Sequence, residues 1–295
     1  MNKDELARQA MHKALQLRSK QNIEYTDSVS IYDVTERIGI NEVRFVDIPS
    51  LEEMYWKDQK KIIISSHRPS GRQAFNCAHG LGHHMFGHGF CITGVDDGME
   101  PTLGFQPSEF LANTFAGFFL MPKTTVCYGF HCRGWSAKEC TPLQVYTVAC
   151  WLGVGYGTLV NHMWHSLRIL SPAYARRLLK ITPSKIKQHV LRNEFSRNMM
   201  LVDDHWSGRA VDIEVGDVVV LSQSIHCEGE GLENVGECRY GNVFVASSPG
   251  CSTRAFNHSY DWKIAVRISR KDYCGRNLFR FDEDPDYEPQ KFDFV

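Results

Sequence analysis

Residues Arg72 to Gly89, with the sequence RQAFNCAHGLGHHMFGHG, place His79 and His83 four positions apart in a segment whose apolar residues recur with helical spacing. Side chains four residues apart lie on one face of a helix, roughly 5 to 6 Å apart at Cβ. Both imidazoles can therefore reach a single metal ion. In a chain with 13 histidines the pair alone is a weak signal, so its meaning depends on the residues around it.

Gly80 follows the first histidine, at the position where helices with the motif H-E-x-x-H carry a glutamate. That glutamate deprotonates a metal-bound water and returns the proton to the leaving amine. Glycine costs a helix interior about 1 kcal/mol relative to alanine, and we expect no local folding requirement for it at this position. The sequence predicts a metal site without its general base, either an inactivated peptidase or a natural pseudo-peptidase.

Glu109 is the single carboxylate in the first turn of a second helical segment, Ser108 to Pro122, whose later turns are apolar. We expect Glu109 to be the third protein ligand. Three protein ligands leave one coordination position open for water or substrate, as a catalytic zinc requires. Two imidazoles and one carboxylate suit Zn²⁺ well, and Mn²⁺ is the alternative.

The two segments together resemble the ImmA/IrrE metallopeptidases of bacteria and their mobile elements. The resemblance rests on R-x-x-F-x-x-A-H-x-L-G-H at positions 72–83 and on E-x-x-A-N-x-F-A-x-x-x-L-M-P at positions 109–122. It implies a cytoplasmic zinc endopeptidase whose typical substrates are helix-turn-helix repressors, cut to derepress a stress response or a mobile element. By matching position, His79, His83 and Glu109 are the metal ligands. The catalytic glutamate has no counterpart, because Gly80 occupies its place.

The composition is that of an ordinary globular protein. The 295 residues are 43% apolar and 23% charged, with a net charge of −1, which argues against a general nucleic-acid-coating role. The N-terminus has no secretory signal, and no run approaches the roughly 18 apolar residues of a membrane helix. We therefore expect a cytoplasmic protein with no membrane partner.

Ten cysteines are many for such a chain, but none form C-x-x-C. We expect reduced thiols. A second metal held by Cys127, His131, Cys132 and Cys140 is an alternative that the spacing does not favour.

Local patterns predict a small sheet just before the metal helix. Helices are expected at Asp4 to Ser19 and Ser30 to Ile38, a strand at Val43 to Ile48, and a hairpin with arms Met54 to Trp56 and Lys61 to Ser65.

An extended substrate in zinc peptidases pairs with an edge strand, so the hairpin arm Lys61, Ile62, Ile63 and Ile64 is the candidate for adding the target peptide. A sheet that only covers the helices is the alternative. His88 forms a helical pair with His84, rotated about 100° from the metal pair. His88 is a further candidate for contact with the substrate. The commoner alternative is a surface position or a role in supporting a metal ligand.

A basic helical subdomain is predicted at about residues 140–193, after a loop that runs from Pro122 to Glu139. It has no acidic residue between Cys140 and Asn193. Its candidate contacts with nucleic acid or a partner are Arg168, Arg176, Arg177 and Lys180. Residues 145 to 170 have the pattern of a helix, a glycine turn and a second helix, which is typical of a helix-turn-helix. A DNA-binding regulator is therefore one possible function. A solvated basic face is the alternative.

The sequence pattern of residues 196–281 differs from that of the preceding region. Runs of β-branched residues are separated by Gly, Asn and Ser, and they predict a small antiparallel barrel or sandwich. We expect a recognition or sensor domain there and an acidic tail at 282–295. The predicted fold class is α+β, with a zincin-like helical metallopeptidase domain and small sheet at 1–195, followed by the mostly-β domain.

Three functions follow from these patterns. The first is a zinc metalloendopeptidase scaffold that cuts a regulatory or other host protein, crippled in this chain by Gly80. The second is a pseudo-peptidase that captures a protein partner, and the third is a helix-turn-helix DNA-binding regulator.

Overall fold

The first part of the chain packs helices on one face of a mixed sheet. The computed structural model describes residues 2–94, 105–192, 198–206, 209–257 and 262–282. The helices of this part are α1 (Lys3–Lys20), α2 (Ile31–Arg37), α3 (Ser70–Phe86) and α4 (Pro107–Leu120). Apolar residues recur along α1 every three or four positions, and this buried stripe packs on α4.

The sheet begins with β1 (Glu42–Val46), β2 (Glu53–Trp56), β3 (Lys61–Ser65) and β4 (Cys91–Thr93). Strands β1 and β3 are parallel, whereas β2 pairs antiparallel with both β3 and β4. The predicted hairpin is confirmed, with Tyr55 opposite Ile62. Strand β3 lies inside this sheet and β4 lies at its edge.

Shorter helices follow α4. They are α5 (Lys123–His131), α6 (Pro142–Leu152), α7 (Tyr156–Asn161) with a π-turn at His162–Ser166, α8 (Pro172–Leu179) and α9 (Pro183–Leu191). The start of α6 is fixed by a capping box, in which Thr141 and Gln144 each accept from the other's backbone N–H. The predicted loop from Pro122 is wrong in part, because α5 begins directly after this proline, which stands at its N-cap.

The last part of the chain is built mostly from strands. They are β5 (Met199–Val202), β6 (Val211–Glu214), β7 (Val218–Leu221), β8 (His226–Glu228), β9 (Leu232–Cys238), β10 (Gly241–Ala246), β11 (Gly250–Asn257), β12 (Trp262–Ser269) and β13 (Gly275–Arg276). The first eight of them, β5 to β12, form two four-stranded sheets, ordered β5-β7-β10-β9 and β6-β12-β11-β8. The expected antiparallel arrangement is wrong in part: four strand pairs of these sheets are antiparallel, but β5 is parallel to β7 and β6 to β12.

The β-rich part is tied to the first part. Strand β13 returns to the first sheet and pairs antiparallel with β1. Arg267 on β12 donates to Asp33 on α2 at 3.1 and 3.3 Å. One cluster of buried apolar residues runs from Leu6 to Tyr273. The predicted division near residue 196 stays a prediction, and the acidic tail lies outside the described residues from position 283 onward.

The length and hydropathy of the described helices were compared with those of a membrane span. No single one is long and apolar enough to cross a bilayer. Only α6 taken together with α7 and its π-turn reaches the required length and hydropathy, and this pair is bent by 102°.

His162 makes the stability of this fold depend on pH. It is buried in the π-turn, where Nε2 lies 3.0 Å from the Met121 carbonyl oxygen. Burial lowers its pKa from 6.5 to about 4. Above pH 6.5 the His162 imidazole is neutral in both the folded and the unfolded chain. As the pH falls from 6.5 towards 4 the unfolded chain takes up the proton first, so the folded state loses stability.

Between pH 7 and pH 4.5, we expect the free energy of unfolding of the wild type to fall by about 2 kcal/mol more than that of His162→Gln. A pKa difference of one unit between the folded and unfolded states corresponds to about 1.4 kcal/mol. Urea unfolding at several pH values measures this difference. His165→Gln, at an exposed histidine of the same turn, is the control and should keep the wild-type slope. Parallel stability curves for His162→Gln and the wild type would contradict the prediction.

Candidate metal centre

Helix α3 presents the first two candidate ligands. Its buried face includes Cys77, Ala78 and Leu81, and this apolar face holds the helix against the sheet and α4. His79 is 5% exposed and His83 is fully buried. Their rings lie 4.6 Å apart between centroids and nearly perpendicular. The structure therefore places both imidazoles on one helix face, as the spacing predicts.

Helix α4 supplies the third candidate ligand from its first turn. Glu109 Oε2 lies 3.2 Å from His79 Nε2, and its Oε1 lies 3.4 Å from His83 Nε2. One ligand atom from each of the three residues lies within 4.8 Å of the others. This is the one such group of His, Cys, Asp or Glu in the part of the chain that the structure describes.

The distance between α3 and α4 depends on a glycine. A Cβ at position 82 would lie 2.9 Å from Ala112 Cα and 3.0 Å from its carbonyl oxygen, closer than real Cβ atoms approach a backbone. Gly82 thus lets the two helices approach. Because Glu109 precedes Ala112 by one helical turn, this close contact brings its carboxylate within reach of the histidines.

The nitrogens that face Glu109 are open for a ligand. Neither His79 Nε2 nor His83 Nε2 has a hydrogen-bond partner of good geometry among the described residues, although both are buried. A buried ring nitrogen without a partner is costly, and a metal ion bound by the two Nε2 lone pairs and Glu109 removes that cost. The residues present therefore fit a metal.

Hydrogen bonds on the opposite ring edges orient both imidazoles. His79 Nδ1 donates to Glu53 Oε2 at 2.7 Å, and His83 Nδ1 lies 2.9 Å from His88 Nδ1. A proton held at each Nδ1 leaves Nε2 as the metal-binding atom. Burial opposes protonation of His79, but Glu109 and Glu53 outweigh it and raise its pKa to about 9. Burial and the neighbouring His79 lower the pKa of His83 to about 4.

Glu53 is the residue of this site that the sequence analysis missed. It lies on β2 and is 1% exposed, and burial raises the pKa of its carboxyl while His79 opposes that shift. The available signal was strand alternation, because Glu53 shares the inward face of β2 with the buried Tyr55. A charged residue at an inward position indicates a buried partner.

Gly80 faces this carboxylate. A Cβ at position 80 would lie 2.7 Å from Glu53 Oε1 and 3.0 Å from the Cγ2 of the buried Ile62. A side chain at position 80 would therefore require the Glu53 carboxylate and Ile62 to shift, and the expectation that local folding does not require glycine here stays a prediction. Side chains from strands β2 and β3 lie where a side chain at position 80 would begin.

His88 does not lie on α3. The helix ends at Phe86, and Gly87 in the left-handed conformation turns the chain, so the His88 N–H donates to the His83 carbonyl. The expected pairing with His84 on a second helical face is therefore wrong, because His84 Nδ1 instead lies 2.9 Å from Tyr55 Oη. His88 supports a candidate ligand, and its contact with substrate stays a prediction.

The predicted peptide-pairing strand is wrong. Strand β3, with Lys61, Ile62, Ile63 and Ile64, is hydrogen-bonded to β1 on one side and β2 on the other, so it has no free edge. Strand β4 lies at an edge of this sheet, where Ile92 is 44% exposed and Phe90, just before the strand, is 58% exposed.

The candidate contact residues of the basic region are on the surface. Arg168, Arg176, Arg177 and Lys180 are all exposed. Arg176 lies over the Trp164 ring at 5.8 Å and Arg177 over the Tyr174 ring at 4.2 Å. Their contact with nucleic acid or a partner stays a prediction.

The second metal site is not formed in the described residues, since Cys127, His131, Cys132 and Cys140 are not brought together as ligands. The ten cysteines are free thiols. The sequence predicts a loop after the metal helix that contains Asp96, Asp97 and Glu100, and no pattern places these acids over the metal. They lie outside the described residues.

Comparisons with known proteins agree with the predicted family. Residues 27–159, which contain all three candidate ligands, match the IrrE N-terminal-like domain of the peptidase M78 family. No curated protein matches the chain significantly. Among solved structures, a Mycobacterium tuberculosis transcriptional regulator matches with a TM-score of 0.35 and 16% identity, over 55% of this chain and 51% of that one. The match thus spans about half the length of that protein.

We expect Glu53→Gln to weaken metal binding about tenfold or more, because losing a carboxylate that orients a ligand histidine typically costs 10- to 100-fold in affinity. Competition with a chromogenic chelator measures the affinity for Zn²⁺. Glu42→Gln, on β1 of the same sheet and ion-paired with Arg44 and Lys61, is the matched control and should bind as the wild type does. Equal affinity in Glu53→Gln would show that the contact with His79 does not support the site.

Proposed function

We propose that this protein, whose residues 27–159 match the IrrE N-terminal-like domain of the peptidase M78 family, is a zinc-binding pseudo-peptidase. It keeps the metal-binding scaffold of a metalloendopeptidase and binds a protein segment, but it lacks the helix carboxylate that activates water. A helix-turn-helix repressor, the partner that the resemblance implies, stays a prediction.

The contact between Gly80 and Glu53 carries this proposal. Glu53 hydrogen-bonds the ring nitrogen of His79 that points away from Glu109. A carboxylate at this ring nitrogen orients the imidazole. Glu53 and Ile62 lie where a side chain at position 80 would begin, so a glutamate there would require both of them to shift. This supports an adapted binding site over a peptidase with a single lost residue.

Zinc is the metal that the donor set supports best. Imidazole nitrogens suit Zn²⁺, whereas Mn²⁺ prefers a shell of oxygen ligands. When bound, zinc supplies a Lewis acid that can hold the carbonyl oxygen of a peptide. His79, His83 and Glu109 would be its protein ligands, and Glu53 and His88 would orient the two imidazoles.

Strand β4 is the proposed binding edge for the extended segment. It pairs only with β2 among the strands of the first sheet, so its outer backbone groups can pair with a partner strand. Phe90 stacks edge-on with Trp56 at 6.3 Å between centroids, and both rings are exposed. An apolar side chain of the segment can pack on them.

The helix-turn-helix function has less support. Helices α6 and α7 are bent by 102°, an angle that such a motif allows. However, Tyr156, Leu159 and Val160 of the candidate recognition helix are buried in the core. Few of its side chains can reach a DNA groove.

The experiment incubates proteome-derived peptides with zinc-loaded wild type, with Gly80→Glu, and with the double variant Glu53→Ala and Gly80→Glu. New N-termini are counted by mass spectrometry. Gly80→Glu alone should lower thermal stability and zinc affinity, because its Cβ would displace the buried Glu53 carboxylate. The double variant removes that clash and restores a helix carboxylate. We expect it to cleave at least 100-fold faster than the wild type, since a general base contributes about 10² to 10⁴ in rate.

Adding His83→Ala to the double variant is the control, and cleavage should stop. Chelator-sensitive cleavage by the wild type at a rate within tenfold of the double variant would overturn the proposal in favour of a peptidase with another base. Failure of the wild type to bind zinc would overturn the metal site itself.

A further inference from the structure

A cavity lies where the parts of the chain meet, away from the metal ligands. Its volume is about 460 Å³, within the range of small-molecule sites. It is lined by the beginnings of α2, α3 and α9, by the turn between α6 and α7, and by β5 and the residues after it. The aromatic rings of Tyr32 and Tyr156 and the side chain of Met200 supply apolar walls.

Arg209 lines this cavity without an ion pair among the described residues. The nearest carboxylates are engaged by Arg267, which donates to Asp212 at 2.6 and 2.8 Å and to Asp33 at 3.1 and 3.3 Å. The guanidinium of Arg209 lies over the Trp206 ring at 5.1 Å. Burial lowers its pKa, while Asp212 opposes that shift. Arg209 is half-buried, and the N–H groups of its guanidinium can donate to an acceptor that enters the cavity.

The fold makes room for this guanidinium. Gly153 ends α6 in the left-handed conformation, and a Cβ there would lie 2.5 Å from Arg209 Nη1. The same turn contacts the beginning of α3, because a Cβ at Gly71 would lie 2.6 Å from Gly155 N. Arg209 and the first turn of the metal helix thus lie against one short segment.

Two further features of the lining favour negative charge. Arg280 is 3% exposed, and its Nε and Nη1 have no hydrogen-bond partner among the described residues, although Nη2 lies 3.8 Å from Glu214. Helix α3 begins at the cavity after Pro69, which cannot cap it with a side chain. The open N–H groups of a long helix attract anions.

We propose that this cavity binds a small organic anion, with its charged group on Arg209 and its apolar part against the tyrosines and Met200. The proposal does not depend on the metal centre. A bound anion would contact the β-rich part and the start of α3, about 14 Å along the helix from His79 at 1.5 Å per residue. The C-terminal part would then act as a recognition element for a small molecule.

Isothermal titration of the full chain with benzoate and with benzamide tests this proposal. The two probes have nearly the same shape, and only benzoate carries a charge. We expect benzoate to bind at millimolar concentration or better and benzamide at least tenfold more weakly. Arg209→Met should reduce benzoate affinity at least tenfold, whereas Arg177→Met, at an exposed arginine, should leave it unchanged.

A second measurement needs no variant and covers the case in which Arg209→Met misfolds. Phenylglyoxal modifies accessible arginines, and peptide mass spectrometry reports the rate at each one. Benzoate should slow modification of Arg209 at least threefold and leave Arg177 unaffected. Absence of benzoate binding, equal binding of the two probes, or equal modification rates at Arg209 with and without benzoate would overturn the proposal.

Discussion

The buried carboxylate of Glu53 is the constraint on which the metal centre depends. A charged group with 1% exposure is unfavourable unless it is paired, and its partner is the Nδ1 proton of His79. The same bond sets the tautomer that leaves His79 Nε2 free for a metal. Glycine at position 80 leaves this carboxylate in place, whereas the Cβ of any other residue would lie 2.7 Å from its Oε1 and require it to shift. Strand β2 and helix α3 therefore determine each other's residues at this contact.

Close backbone contacts hold the third ligand in place. Gly82 lets α3 approach α4 at Ala112, and Arg18 holds the other end of α4 by donating to the Phe119 carbonyl at 2.9 Å. The same guanidinium donates to the carbonyls of Glu24 and Asp27, and burial lowers its pKa to about 10. Because metal ligands tolerate little displacement, these contacts position Glu109 as firmly as the histidines.

Local patterns predicted what lies within one element or one hairpin. Helical spacing placed His79 and His83 on one face, and the first turn of the next segment identified Glu109, because these features depend on residues close in sequence. The order of strands is not local. Strand β3 reads like an exposed hairpin arm, yet β1 and β13 cover its other side. Glu53 was missed for the same reason, since its partner lies 26 positions away.

The two ends of the first sheet differ in a way that bears on binding. The edge at β1 is covered by β13, which the chain adds after passing through the β-rich part. The opposite edge, β4, has no further strand among the described residues. Because β4 pairs with the strand that carries Glu53, an added peptide would lie on the metal side of the sheet. The C-terminal part thus closes one edge, and the open edge is the one beside the candidate ligands.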